Sequence, residues 1–368
     1  MTDIDISQEL PIPVERRPQR TYGVVDWLRA NLFGSVFNTI LTLIALYFLA
    51  VVIPPLVRWA FVDAVWSAPN GQACRGAGAC WAFIGEKLRF ILFGRFPYDQ
   101  QWRPLGVVVI FVAMILASCD RRLWGRRLML LWLGGFIAAG VLMWGGILGM
   151  RYVETGLWSG LPLTLILAVV GLPFALPVAI LLALGRRSRL PAVRAVSVAY
   201  IELVRGVPLI TVLFMASVVL PLFLPSGVTI DKLLRAGIAF VLFAAAYIAE
   251  VIRGGLQAIP RGQIEAADAL GLGYWQRTRL IVLPQALAMV IPPLVNNFIG
   301  SFKNTSLVII IGLFDLLNTA NTALTDPNWQ GFAAESYVFV AMIYWSFCFF
   351  MSRYSQMLER EFSKGRQR

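Results

Sequence analysis

Polar side chains that could contact a charged solute are concentrated in one apolar stretch, residues 286–313, which contains Asn297, Lys303, Asn304 and Thr305. An ammonium group at the centre of a bilayer costs about 3 kcal/mol on insertion scales, so Lys303 should face protein or water. A cation beside amides and a hydroxyl could receive the carboxylate and the ammonium of a zwitterion. An equally weighted alternative is that Lys303 extends to the headgroups while the amides join neighbouring helices.

The usual groups of hydrolytic and metal chemistry are missing from this sequence. It has no histidine among 368 residues, which removes the commonest general base and any Ser/His/Asp arrangement. It also lacks a G-x-x-x-x-G-K-[ST] loop that could hold ATP phosphates. We therefore expect no enzymatic activity, no cofactor and no metal, and any work driven by ATP must be done by another chain.

Glu202 and Arg205 stand three positions apart on a predicted helix, close enough to pair on one face. They precede the helix-breaking run Gly206-Val207-Pro208. A structural ion pair at the membrane surface is the favoured interpretation. The functional alternative is that the pair orders the polar loop at residues 253–285 or gates the inner mouth of a pathway.

The polar groups lie within or beside long apolar runs of the chain. Hydrophobic residues make up 58% of the chain, charged residues 14%, and the mean hydropathy is +0.72, which predicts an all-α polytopic membrane protein. A crossing helix needs about 20 apolar residues. Eight stretches are predicted to span the bilayer, and they are residues 36–57, 104–118, 129–149, 158–184, 207–225, 235–252, 286–313 and 336–352.

Arginine asymmetry predicts the orientation of these spans. With loops assigned alternately, the two ends and the loops around 121–127, 186–205 and 253–279 hold 22 of the 32 Lys and Arg residues. Basic residues beside spans mark the cytoplasmic side, so both termini should be cytoplasmic and the net charge of +12 needs no nucleic acid to explain it. Residues 1–30 contain no apolar core of a signal peptide and are predicted to form a polar tail.

Two cysteines lie in the long predicted outer loop, in the run Cys74-Arg-Gly-Ala-Gly-Ala-Cys80. Thiols in an oxidising compartment can pair, and so short a loop would be stabilised by ~2.5 kcal/mol on the chain-entropy model. A disulfide is favoured over free thiols, and a metal site is a poor alternative without histidine. Cys119 and Cys348 are expected to be unpaired.

A polar stretch of residues that favour helix formation lies between two of the apolar runs. Its sequence is Glu265-Ala266-Ala267-Asp268-Ala269-Leu270-Gly271. We predict a short helix over residues 261–270, stopped by the glycines at 271 and 273, and a second helix over 274–282. The two alanines would let a partner approach the backbone, while Glu265 offers a charged acceptor. The alternative for Glu-Ala-Ala alone is an ordinary amphipathic surface helix.

With its following Ile281, Leu283 and Pro284, this stretch matches the Glu-Ala-Ala, Gly, Ile-x-Leu-Pro spacing of the cytoplasmic coupling loop in permease subunits of ATP-binding-cassette (ABC) importers. The second half of the chain resembles the polar amino-acid branch of that family. Further residues carry the resemblance, namely Leu163-Thr164-Leu165, the run from Tyr200 to Leu209, Gln285-Ala286 and the run from Lys303 to Leu307. The N-terminal extension, with its loop from Trp81 to Pro104, is similar to the M-type permease of general L-amino-acid importers.

The resemblance implies a five-helix permease core at residues 151–368, with a coupling loop at 253–285, preceded by a three-helix extension at 31–150. It implies coupling of Glu265, Ala266, Ala267, Gly271, Ile281, Leu283 and Pro284 to a pair of separate ATPase subunits. The other implied partners are a second, related permease subunit, a periplasmic amino-acid-binding protein, the bilayer and L-amino acids, in a bacterial inner membrane.

Two other classes of protein stay open at this point. A secondary amino-acid transporter driven by an ion gradient should have intramembrane carboxylates or paired broken helices, and membrane-depth carboxylates are few here. A membrane scaffold or receptor subunit would not need the coupling loop. The sequence leaves undetermined which amino acids are carried and whether the permease pairs with itself or with a different chain.

Overall fold

The computed structural model describes residues 23–364, and within them the chain is all-α apart from one two-residue strand. It divides into two units, one up to Ala64 and one from Val65 onward. The all-α membrane fold predicted from composition is thereby confirmed. The predicted domain boundaries at residues 30 and 150 rest on composition and resemblance, and they stay predictions.

The first unit contains α1 (Val24–Leu32) and α2 (Val36–Val57), and α2 runs on through a wider turn to form an apolar helix over Val36–Val62. Ser35 begins α2, because its side chain accepts a hydrogen bond from the Asn38 amide at 3.1 Å. The helix is apolar on all sides and its residues are not buried within the unit. Such a surface is suited to lipid.

The second unit contains fourteen α-helices and the strand within the described residues. They are α3 (Trp81–Phe93), α4 (Trp102–Cys119), α5 (Arg126–Trp144), α6 (Gly160–Arg186), α7 (Pro191–Gly206), α8 (Leu209–Phe214), α9 (Leu220–Leu222), α10 (Lys232–Gln257), α11 (Arg261–Ala269), α12 (Tyr274–Arg277), α13 (Leu283–Met289), α14 (Ile291–Asn304), β1 (Phe314–Asp315), α15 (Leu316–Ala323) and α16 (Ala333–Lys364).

Seven helices among the described residues are long and apolar enough to cross a membrane, and α7 with α8–α9 adds an eighth if that bent pair is counted as one span. The span predicted over 207–225 forms the second half of this bent pair, over Leu209–Leu222, and the two halves meet at 105°. Pro208 explains the bend, because it lacks an amide proton and forces Val207 into an extended conformation (φ −112°, ψ 135°).

Small residues bring α6 and α10 together at the centre of the second unit. Ala175, Ala179 and Ala183 recur every fourth position along α6 and are fully buried, as are Ala245 and Ala249 on α10. Since side chains four apart share one face of a helix, these alanines form a stripe that lets the two backbones approach closely. This pair positions the loop that follows α10.

Residues 65–150 contact the rest of the second unit through polar bonds that are remote in sequence. The Cys80 amide donates to Glu335 Oε1 at 2.9 Å, and Lys87 Nζ lies 2.5 Å from Asp326 Oδ2. The Asp326 carboxylate has its pKa lowered, chiefly because Lys87 donates to it. The start and middle of α3 are therefore held against the first turn of α16 and the segment that joins α15 to α16.

Arg103, at the start of α4, is fully buried. Its guanidinium donates to the carbonyls of Leu142 at 2.6 Å, Met143 at 3.2 Å and Arg151 at 2.8 Å. The first two are among the last carbonyls of α5, which have no partner within the helix and carry the negative end of its dipole. A buried charge is tolerated here because carbonyl oxygens surround it.

Candidate functional site

The helix α11, residues 261–269, forms where the sequence predicts it and ends one residue earlier. The Leu272 amide donates to the Ala267 carbonyl at 3.1 Å and the Gly271 amide to the Asp268 carbonyl at 3.0 Å. Together these bonds make a Schellman turn, which requires a left-handed residue after the cap. Gly271 supplies it with φ +73°, a conformation that costs glycine nothing and a β-branched residue a good deal.

One face of α11 is open and the other is anchored. Glu265 and Ala266 are exposed, and Leu270 is 78% exposed, whereas Ala267 is only 1% exposed. The exposed set combines a carboxylate, a bare backbone and an apolar side chain. It can therefore receive a partner by charge and by apolar contact at the same place.

The chain returns from α11 to the membrane through α12 and α13. Arg277 pairs with Asp268 across the turn, and Gln285 Nε2 donates to Gln263 Oε1 at 3.3 Å. Between α12 and α13, residues 278–282 form a wider π turn. Pro284 follows it and cannot donate to the Leu280 carbonyl, so the regular hydrogen-bond ladder is interrupted there.

Ile281, Leu283 and Pro284 lie on this return segment and not on the open face of α11. The first two are half-buried and Pro284 is exposed, while the neighbouring Val282 and Ala286 belong to the core around α6 and α10. Their place in the structure suits an anchor that fixes the angle of α11. The coupling set predicted from the sequence thus divides into an exposed group and a supporting group.

The predicted direct pair between Glu202 and Arg205 does not form. Glu202 instead lies 2.8 Å from Arg186 at the end of α6, and Arg186 is also 3.3 Å from Glu250 on α10. The Arg205 guanidinium lies over the Tyr247 ring, 5.6 Å from its centroid. Helical spacing allowed the pair, but a tertiary contact with another helix supplied Glu202 with a different arginine.

Glu250 is the centre of this ionic cluster, which the sequence analysis missed. It accepts from Arg253 Nε at 3.0 Å in addition to its contact with Arg186, so one carboxylate joins α6 to the last turns of α10. Arg187 makes a second link, donating to the Leu256 carbonyl at 2.6 Å. The only sequence signal was the i,i+3 spacing of Glu250 and Arg253.

The four candidate pathway residues on and after α14 differ in exposure. The side chain of Lys303 is exposed, and among the described residues none forms an ion pair or a hydrogen bond with its ammonium. Asn297 and Asn304 are half-buried, and Thr305 is buried with its hydroxyl bonded to the Phe302 carbonyl at 2.8 Å. Asn297 likewise uses its amide within the helix, donating to the Pro293 carbonyl at 2.9 Å.

Two polar side chains, Asn296 and Lys303, lie on an exposed face of α14 that we call the polar stripe. Pro293, Asn296, Gly300 and Lys303 are all exposed and stand on one face of the helix, spaced by three or four positions. A polar stripe on a membrane helix must be covered by protein or by water, since lipid cannot satisfy it. Lys303 and Asn296, more than Thr305, are therefore the polar groups that are open to water or to a covering partner.

Asp315 is a buried carboxylate that no sequence motif singled out. It accepts from the Asn318 amide at 3.1 Å and from the Tyr344 hydroxyl at 2.9 Å. Burial raises the pKa of Asp315, against these hydrogen bonds. A lone aspartate in the apolar run Leu313-Phe314-Asp315-Leu316 was the available signal.

Cys74 and Cys80 are joined by a disulfide, with their Cα atoms 5.6 Å apart, and both are buried. Cys119 and Cys348 are free and half-buried. Within residues 23–364, no three His, Cys, Asp or Glu side chains come together in a way that could hold a metal ion.

Comparison with known families defines the class of protein to which this chain belongs. Residues 175–364 match the family described as binding-protein-dependent transport system inner membrane component. The chain belongs to this family, which confirms the permease class predicted from the coupling-loop spacing. It is a multi-pass membrane protein, and the matched range contains the α11 loop and the α14 stripe.

Individual relatives extend the likeness over the whole chain. It is 51% identical over 375 residues to the inner membrane amino-acid ABC transporter permease protein YhdY of Escherichia coli K12, covering 100% of this chain and 99% of the relative. It is 40% identical to the glutamate/glutamine/aspartate/asparagine transport system permease protein BztC of Rhodobacter capsulatus, covering 94% and 95%. A crystal structure of an amino acid ABC transporter with histidines is 31% identical, covers 55% of this chain and 92% of the other, and has a TM-score of 0.49.

Proposed function

We propose that this protein is the permease subunit of an ATP-driven importer that carries L-amino acids across a bacterial inner membrane. Two relatives that match nearly the full length are named as amino-acid permeases, which supports the substrate class. ATP is hydrolysed on separate partner chains. The observation that carries the proposal is the short helix α11, anchored at Ala267 and open at Glu265, Ala266 and Leu270.

The open face of α11 is the contact with an ATPase subunit. Motion of the ATPase reaches the membrane as a rigid-body displacement, because α11 is tied to the return segment by the Asp268–Arg277 pair and the Gln263–Gln285 hydrogen bond. The ionic cluster around Glu250 holds the ends of α6 and α10 on the other side of the loop. A displacement of α11 therefore moves several spans together.

The complete importer contains two ATPase subunits, a second related permease subunit and a periplasmic amino-acid-binding protein. The polar stripe on α14 supports the need for a second permease, since its exposed Asn296 and Lys303 require a covering surface or a water-filled path. The amino acid passes along this stripe, where Lys303 meets its carboxylate. Asn297, Asn304 and Thr305 shape the wall beside it.

Mass spectrometry of the affinity-purified, full-length protein from its native membrane tests this proposal. We expect an ABC ATPase and a second permease in stoichiometric amounts, because α11 and the α14 stripe both need a covering partner. A control purification of an unrelated multi-pass protein identifies background. Recovery of the permease without any ATPase, under conditions that preserve other membrane complexes, would overturn the proposal in favour of ion-driven transport.

A second experiment tests the orientation, with both termini inside and the Cys74–Cys80 loop outside. Single cysteines placed at Gln72 and Gln263, in a background without native cysteines, are expected to react with an impermeant maleimide from opposite sides, because the basic loops stay inside. Permeabilised cells provide the control for reactivity. Labelling of both positions in intact cells would show that the orientation is wrong, and peptide mapping under non-reducing conditions checks the disulfide itself.

A further inference from the structure

A cavity of about 970 Å³ lies between the end of α6, the start of α7 and the α11–α12 loop. Its walls combine apolar and basic side chains, including Leu181, Leu184, Arg187, Arg189, Trp275 and Arg277. It is too large for a simple ion. It also lies where a membrane-spanning helix ends, which is the level of lipid headgroups.

The charge of the cavity favours an anionic ligand. Arg187 donates through Nη1 to the Leu256 carbonyl, and Arg277 donates through Nη1 to the Asp268 carboxylate. Each guanidinium therefore keeps further N–H donors. Arg189 is exposed, and within residues 23–364 its guanidinium has neither an ion pair nor a hydrogen bond. Three arginines and one carboxylate, that of Asp268, therefore line the cavity.

The apolar side chains of the cavity favour a lipid over a free anion as its ligand. Leu181 is 66% exposed, Leu190 63% and Val193 44%, and all three lie on its wall. They continue onto α7, whose exposed Val196 and Leu203 give it an apolar face of the kind found in helices that lie at the membrane surface. A phosphate ion needs only the arginines, whereas a diacyl lipid uses both halves of the cavity.

We propose that this cavity binds an anionic phospholipid, with its phosphate among Arg187, Arg189 and Arg277 and its acyl chains along Leu181, Leu190 and Val193. Basic pockets at the cytoplasmic ends of spans are suited to acidic headgroups. Trp275, 68% exposed, lies at the rim, as aromatic rings do at membrane interfaces. The lipid joins the end of α6 to the α11–α12 loop, and this binding does not depend on what the protein transports.

Native mass spectrometry of the full-length protein, purified with whatever subunits accompany it, tests the site. The protein is exposed to equal amounts of dioleoyl phosphatidylglycerol and dioleoyl phosphatidylcholine, and retained lipid is counted. We expect preferential retention of phosphatidylglycerol, and retention roughly fivefold weaker in Arg189→Gln, because a surface arginine contributes about that factor. Arg194→Gln is the matched control, since it removes the same charge five residues away, outside the cavity wall.

The possible results distinguish a bound lipid from a free anion and from a protein partner. A photoactivatable phosphatidylglycerol should crosslink to peptides covering residues 181–193 or 274–282, and millimolar inorganic phosphate should not displace the lipid. Equal losses in Arg189→Gln and Arg194→Gln would overturn the proposal, since they indicate unspecific charge attraction. Displacement by phosphate would show a free-anion site instead. Retention only after the accompanying subunits are stripped off would show that a protein partner fills the cavity.

Discussion

Replacing Gly271 by valine, or Glu265 by lysine, is expected to abolish amino-acid uptake while leaving the permease inserted in the membrane. Gly271 closes the turn after α11 at φ +73°, and a β-branched residue in the left-handed region costs roughly 1–2 kcal/mol or forces the turn open. Glu265→Lys reverses the charge on the open face. Because we propose that α11 carries the motion of the ATPase to the spans, either change should lower transport by about tenfold or more.

Matched variants separate this effect from general damage. Gly273 stands two residues later with φ −66° and has room for a Cβ, so Gly273→Val should retain most uptake. Glu265→Gln removes the charge without reversing it, and we expect an intermediate loss. Uptake by whole cells and the amount of co-purified ATPase are the measurements. Wild-type uptake by a normally expressed Glu265→Lys, Gly271→Val double variant would refute the coupling role of α11.

Replacing Lys303 by methionine is expected to lower substrate-dependent transport by roughly tenfold or more, because a hydrogen bond to a charged group contributes about 1.5–3 kcal/mol. Lys303 is exposed on the polar stripe of α14 and, among the described residues, no side chain pairs with its ammonium. It is therefore available to meet the carboxylate of the amino acid on the path that we propose. Methionine keeps an unbranched side chain, one atom shorter, and removes the charge together with its N–H donors.

Proteoliposomes that contain all partner subunits give the decisive measurement. Lys303→Arg keeps the cation and should retain most of the transport that Lys303→Met loses. Co-purification of the partner chains with each variant shows whether assembly is intact. Normal transport by Lys303→Met would mean that the lysine extends to the headgroups and that the pathway lies on another face.

Local sequence was sufficient for the features that depend on a few neighbouring residues. The α11 helix and its stop at Gly271 were predictable because a Schellman turn is built from six consecutive residues and needs a glycine at one of them. The spans were predictable because a bilayer of fixed thickness demands an apolar run of fixed length. Even the bend at residues 206–208 had its cause, Pro208, in the sequence, although its angle of 105° did not.

By itself, then, the sequence determined the membrane-spanning helices, the α11 helix with its stop at Gly271, the permease class and the absence of histidine chemistry. Only the tertiary structure decided that Glu202 pairs with Arg186, 16 residues away, and that the Cys80 amide bonds to Glu335, 255 residues away. It also decided that Asn296 and Lys303 on α14 are exposed and that Thr305, just after it, is buried. The physical reason is that these partners come together only when separate helices pack. The spacing of residues along one helix does not reveal which residue of another helix will contact it.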